Sequence, residues 1–146
     1  MSRGLKIANR SEIGKIRKTN EDRAVVQSFS GGCSLALVAD GMGGHRAGDV
    51  ASQMASDIIR EELQAIDPGM SPEEFERLLR DAITTANRKV FEYSMTRSQY
   101  AGMGTTVVVA IATPRRVTIG HIGDSRAYLI RGGTICRLTE DHSLVN

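Results

Sequence analysis

The sequence contains no tryptophan, three tyrosines and three phenylalanines. That leaves no aromatic platform on which single-stranded bases could stack. It has two cysteines, too few for a disulfide framework. Both stand in strand-like apolar surroundings, and Cys33 and Cys136 are expected to be buried core thiols. No apolar run approaches the roughly 18 residues of a membrane span, and no apolar leader follows Met1-Ser2-Arg3-Gly4-Leu5-Lys6. The formal net charge is +2, with no long lysine or arginine cluster. These absences argue against nucleic-acid and membrane partners and make a cytoplasmic protein the expectation.

What is present is ordinary for a globular protein: 40% hydrophobic and 25% charged residues in 146, enough for a single domain spanning 1–146 with a real core. Residues 5–8 and 24–29 read as short strands. Ser30-Gly31-Gly32 reads as a turn and 33–39 as a third strand, the last two strands forming a hairpin. Apolar residues at Val50, Ala51, Met54, Ala55, Ile58, Ile59, Leu63 and Ile66 carry a helical period over 47–66, ended by Asp67-Pro68-Gly69. Ser71 caps a second helix that begins at Pro72, with Glu73 and Glu74 in its first turn. That helix fades within 93–100. The β-branched run 104–112 follows, then strands at 117–122, 126–130 and 134–138, with turns at Pro114-Arg115 and Gly132-Gly133. Strands, two adjacent amphipathic helices and more strands predict a layered α+β fold with the helices as an antiparallel pair on a sheet.

The stretch richest in chemistry is 35–45, an apolar strand that ends in Asp40 and runs into Gly41-Met42-Gly43-Gly44-His45. Glycine frees the backbone to approach an ion or a phosphate. Two phosphate motifs fail here by position. A dinucleotide motif starting at Gly41 meets Arg46 where it needs glycine, and a P-loop starting at Gly43 reaches Gly48 but then meets Asp49 in place of lysine. An acid at a strand end suits a metal ion better than a bare phosphate. Acids recur at strand boundaries in Asn20-Glu21-Asp22 and in Gly123-Asp124-Ser125-Arg126, although carboxylates are poor strand formers. A cysteine-dependent phosphoryl site is excluded, because the arginine such a site needs six residues after Cys33 is Ala39.

Arg17-x-x-Asn20-Glu21-Asp22, Val38-Ala39-Asp40-Gly41-Met42-Gly43-Gly44-His45, Gly104-Thr105-Thr106, His121-Ile122-Gly123-Asp124-Ser125-Arg126 and Leu138-Thr139-x-Asp141-His142-Ser143 occur in that order. Together they resemble the metal-dependent protein phosphatases of the 2C type, in their bacterial form. The resemblance implies an α-β-β-α sandwich, incomplete in this chain, which would be the N-terminal part of the catalytic domain. It implies a protein serine/threonine phosphatase using two Mn²⁺ or Mg²⁺ ions and a looser third position. Asp40 would bridge two ions and the carbonyl of Gly41 would bind one. Glu21 would hold a metal-bound water with Asp22 beside it, and Asp124 would belong to the third position. Arg17 would grip the substrate phosphate and His45 would protonate the leaving oxygen. The implied partners are phosphorylated proteins, a Ser/Thr kinase and its substrates among them, in signal transduction; the oligomeric state stays open.

Residue chemistry agrees with the metal class. Carboxylates and a backbone carbonyl suit hard Mg²⁺ or Mn²⁺, and the three histidines lack zinc-ligand spacing. Arginine presents a planar fork matched to phosphate oxygens. Each residue alone has a plainer reading: Asp40-Gly41 as a turn, Arg17 as a solvated side chain, His45 as a helix-start packing residue, Asp124 as a turn residue held by Ser125. The family pattern also carries two further aspartates, for which this chain has only Glu140 and Asp141 after Asp124. The expectations are therefore a fragment of a longer protein or pairing with another copy, and little phosphatase activity from this chain alone. The alternative function is a catalytically weak or inactive phosphatase half that binds phosphoprotein or another chain.

Overall fold

The computed structural model describes residues 6–12, 14–15, 20–44 and 47–141. Strand β1 (Asp22–Ser28) and strand β2 (Ser34–Met42) are joined through a short 3-10 turn at Ser30–Gly32. Helices α1 (Ala47–Glu62) and α2 (Pro72–Thr96) follow, then strands β3 (Gly104–Ala112), β4 (Val117–Ile122), β5 (Tyr128–Arg131) and β6 (Thr134–Arg137). Among the described residues, β1-β2-β3-β4 form one antiparallel sheet in that order, and β5-β6 form a separate hairpin.

Alternation along the strands divides the large sheet into two unlike faces. Leu35, Leu37 and Ala39 of β2 and Val107, Val109 and Ile111 of β3 are buried on one face. Ala51, Ala55 and Ile59 of α1 and Leu79, Ala82 and Ile83 of α2 belong to the same core. The predicted helical periods thus point where they should. On the opposite face Val38 is paired in register with Ala24 and Val108, in the middle of the sheet. It is nevertheless 47% exposed, so among the described residues nothing covers that face there. The described molecule is therefore the helical layer and one β-layer of the expected α+β sandwich.

Ser71 accepts a hydrogen bond from the Glu74 backbone N–H at 3.2 Å, and Pro72 opens α2. Both match the sequence expectation. The predicted 47–66 helix is α-helical only to Glu62 and closes in a 3-10 turn at Leu63–Ala65. The expected strand at 5–8 is absent from its described part, Lys6 to Ala8; Leu5 lies outside the described residues. Only Ile7 of those three is partly buried, so no apolar face holds them to a sheet. Cys136 is exposed rather than buried. Every residue of β5 and β6 is exposed, because the hairpin packs no face against the core.

Candidate metal centre

The run through Asp40 differs from the strand-end loop read from the sequence. β2 continues through Gly41 and Met42, since β3 supplies Thr105 and Gly104 as register partners for them. Asp40 thus lies inside a paired strand, which fixes its direction. Asp22 stands directly opposite it on β1, and Thr106 opposite it on β3. Residues opposite each other in an antiparallel pair project to the same face, here the one away from the helices, where Thr106 is buried. Asp22 and Asp40 are both exposed.

Two backbone contacts pin this corner to α1. The Gly41 N–H donates to the carbonyl of Glu21 at 3.1 Å. A Cβ on Gly41 would stand 1.8 Å from the carbonyl oxygen of Gly48, in the first turn of α1. A Cβ on Gly48 would in turn stand 1.8 Å from Oε2 of Glu21. Glycine is required at both positions because backbone meets backbone. The Glu21 carboxylate is therefore wedged at the start of α1, beside the strand that carries Asp40. One step along β1, the Arg23 guanidinium donates to Asp49 at 2.6 Å and to Gln53 at 2.9 Å, tying the strand to the same helix.

Asp124 comes from the other side. It follows Gly123 in the bend after β4, and this bend closes on β3: Thr106 and Ser125 share a hydroxyl–hydroxyl hydrogen bond. A Cβ on Gly123 would stand 2.6 Å from Cγ2 of Thr106. The segment beyond is held by Arg126, which donates from Nε and Nη2 to the two carboxylate oxygens of Asp141 at 3.0 and 2.7 Å. Those hydrogen bonds, with the charge of Arg126, keep the Asp141 carboxyl below its ordinary range, and the same pair raises the Arg126 guanidinium. His121 shares a 2.7 Å hydrogen bond with the carbonyl of Glu140.

Asp22, Asp40 and Gly41 are thus adjacent. Glu21 abuts them through Gly41 and Gly48, and Asp124 reaches the edge through the Thr106–Ser125 link. Arg17 and His45 lie outside the described residues. The donors are all oxygens, which fits Mn²⁺ or Mg²⁺ in kind. They do not fit in number: among the described residues no group of three or more His, Cys, Asp or Glu is placed to hold an ion. Gly48, Thr106 and Ser125 shape the corner without having been assigned a catalytic or metal role from sequence. Thr106 and Ser125 stood there only as members of the ordered motifs, Ser125 also as a turn partner of Asp124, and Gly48 as the second glycine of the failed P-loop spacing.

Residues 16–144 match the family model described as Protein phosphatase 2C. The chain belongs to the protein phosphatase 2C family. It is 42% identical over 137 residues to a serine/threonine phosphatase stp of Listeria monocytogenes, covering 94% of this chain and 54% of that protein. It is 35% identical over 141 residues to the serine/threonine protein phosphatase PstP of Mycobacterium tuberculosis, covering 97% of this chain and 26% of that protein. The chain spans about half the length, or less, of these curated relatives. Among solved structures, Stp1 of Staphylococcus aureus superposes with a TM-score of 0.84 at 34% identity, over 98% of this chain and 57% of that one. The catalytic domain of PstP in complex with two manganese ions superposes with a TM-score of 0.77 at 33% identity, over 93% of this chain and 55% of that one.

Proposed function

We propose that residues 1–146 form the N-terminal part of a metal-dependent protein serine/threonine phosphatase domain that acts on phosphoserine and phosphothreonine. The observation that carries this reading is the register Asp22–Asp40–Thr106 across three strands. It sets two carboxylates side by side on the face away from the helices, beside the glycine whose carbonyl the family pattern uses. Like charges directly opposite each other weaken a sheet, and a bound divalent cation would offset that repulsion. In this reading Asp40 and the carbonyl of Gly41 would hold Mn²⁺ or Mg²⁺, Glu21 and Asp22 would orient water at the corner, and Asp124 would serve a looser further position. The ions, when bound, supply Lewis acidity that lowers the pKa of a water and offsets phosphate charge. Arg17 binds the phosphoryl oxygens and His45 gives a proton to the departing serine or threonine oxygen. The setting is cytoplasmic signalling, with phosphorylated proteins as substrates and a kinase as the opposing activity.

A second reading rests on there being, among the described residues, no group of three or more His, Cys, Asp or Glu placed to hold an ion: by itself the chain is a phosphoprotein-binding half with little turnover. One pair of measurements separates the two. Mn²⁺ titration by calorimetry and hydrolysis of a phosphothreonine peptide are run on this chain and on the gene's full translated product. The enzymatic reading expects both to be strong in the full product and lost together in Asp40→Asn. Metal-independent hydrolysis, or full activity in Asp40→Asn, would overturn it.

A further inference from the structure

We infer that the outer edge of β4, with the groove that α2 forms beside it, docks an extended acidic segment of a protein substrate. The two sheet edges differ. On β1, side chains cross to α1 and the 3-10 turn after it: Arg23 bonds Asp49 and Gln53, and Gln27 bonds Arg60 of the helix and Gln64 of the turn. Among the described residues no strand pairs with the outer side of β4 or of β1; what sets β4 apart is the groove beside it. A cavity of about 550 Å³ lies there, between Glu76, Arg80 and Thr84 of α2 and the strand from Arg116 to Ile122.

The strand is suited to a passing backbone. None of its six residues is fully buried, unlike the central strands. At Gly120 a Cβ would stand 2.7 Å from Cδ1 of Ile83 and 3.0 Å from Cγ of Leu79. The missing side chain lets α2 close over the strand and leaves main-chain groups at the groove floor. An unpaired edge of this kind is a template for strand addition, in which main-chain hydrogen bonds supply affinity and flanking side chains supply selectivity. The flanking charge is basic: Arg80 and Arg116 line the groove with Glu76 as the one acid, and exposed Arg115 adjoins them. Acidic side chains on an incoming strand complement that rim. The strand ends at Ile122, next to Gly123 and Asp124, so a segment laid along β4 leads to the carboxylate corner. This proposal rests on the phosphatase reading for the identity of the occupant as substrate; the groove itself does not.

The test uses fluorescence anisotropy with labelled peptides of alternating valine and glutamate, or valine and lysine, and a glutamate peptide N-methylated at alternate residues. The glutamate peptide is expected to bind saturably and the lysine peptide about tenfold or more weaker, a difference of ~1.4 kcal/mol. The double variant Arg80→Glu, Arg116→Glu should reverse that order. N-methylation should abolish binding, because it removes the donors a strand must offer. In the gene's full product the same variant should raise KM for an acidic phosphopeptide and leave p-nitrophenyl phosphate turnover unchanged. Loss of p-nitrophenyl phosphate turnover in the unmodified product would count against the phosphatase reading alone. Equal binding of acidic and basic peptides, indifference to N-methylation, or a β4 edge already occupied by a second copy or by the chain's own continuation, read as hydrogen-exchange protection of 117–122 without peptide, would each overturn the docking proposal.

Discussion

Gly41 and Gly48 touch backbone to backbone, one in the strand that carries Asp40 and the other in the first turn of α1. A methyl group on either would stand 1.8 Å from an oxygen, the Gly48 carbonyl in one case and Oε2 of Glu21 in the other. The two positions are not equivalent in consequence. Gly41→Ala strikes main chain alone, at the O, C and Cα of Gly48, and must push β2 from α1. Gly48→Ala strikes the Glu21 carboxylate, which can swing, and meets main chain less deeply, at the Gly41 carbonyl carbon 2.8 Å away. Overpacking of a closed contact costs about 1–3 kcal/mol, so Gly41→Ala is expected at the upper end of that range and Gly48→Ala below it. Urea denaturation followed by circular dichroism measures both. Equal and small losses would show that the corner is looser than the contact implies.

Asp22 and Asp40 make a second, electrostatic prediction. Directly opposed like charges destabilise a sheet. In the presence of a chelator, Asp22→Asn is expected to raise stability by whatever part of that repulsion the other contacts of Asp40 do not offset. Added Mn²⁺ should stabilise the unmodified chain in proportion to the logarithm of its concentration once it exceeds Kd, and Asp22→Asn should reduce that gain. Denaturation midpoints with and without Mn²⁺ test the pair. An Mn²⁺ gain identical in both proteins would remove Asp22 from the corner's cation chemistry.

The parts of the fold visible in sequence were those set by local chemistry. Ser71-Pro72 announced the start of α2, and the valine-rich run announced β3. What escaped depended on distant partners. The extension of β2 past Asp40 arises because Thr105 and Gly104 pair with Gly41 and Met42, and nothing near Asp40 signals that. The contact of Gly48 with Gly41 is equally non-local. The apolar alternation around Cys136 reads the same whether or not another layer covers the strand. At the carboxylate corner, the motifs supplied the residue types, while register supplied the adjacency of Asp22, Asp40 and Thr106.

The two cysteines should react very differently. Cys33 is 1% exposed and belongs to the core. Burial, with the nearby charge of Asp67 as a smaller contribution, raises its thiol above the ordinary range, so little thiolate forms at neutral pH. Cys136 is exposed on β6. A disulfide reagent such as Ellman's is expected to modify one thiol promptly in the native chain and the second only at the rate of unfolding. Peptide mapping should find the prompt label on Cys136. Prompt labelling of Cys33 would show that the edge of the core near Asp67 opens without global unfolding.

The Arg126–Asp141 pair gives the chain an acid-sensitive clasp just beyond Asp124. A carboxyl whose pKa is lower in the folded chain than in the unfolded one contributes stability above its unfolded pKa. It loses that contribution as pH falls through the folded value. Asp141 is held below its ordinary range, and an unfolded aspartate titrates near 3.9. The difference in Tm between the unmodified chain and Arg126→Gln is therefore expected to be constant from about pH 7 to pH 5, to shrink below about pH 4, and to disappear once Asp141 is protonated in both states. Because the pair is exposed to solvent, the difference should be modest and should narrow further in molar salt. Calorimetric scans across that pH series decide the matter. A Tm difference that persists unchanged at the lowest pH would assign Arg126 a packing role on Tyr128, whose hydroxyl it approaches at 3.5 Å, in place of the ionic one.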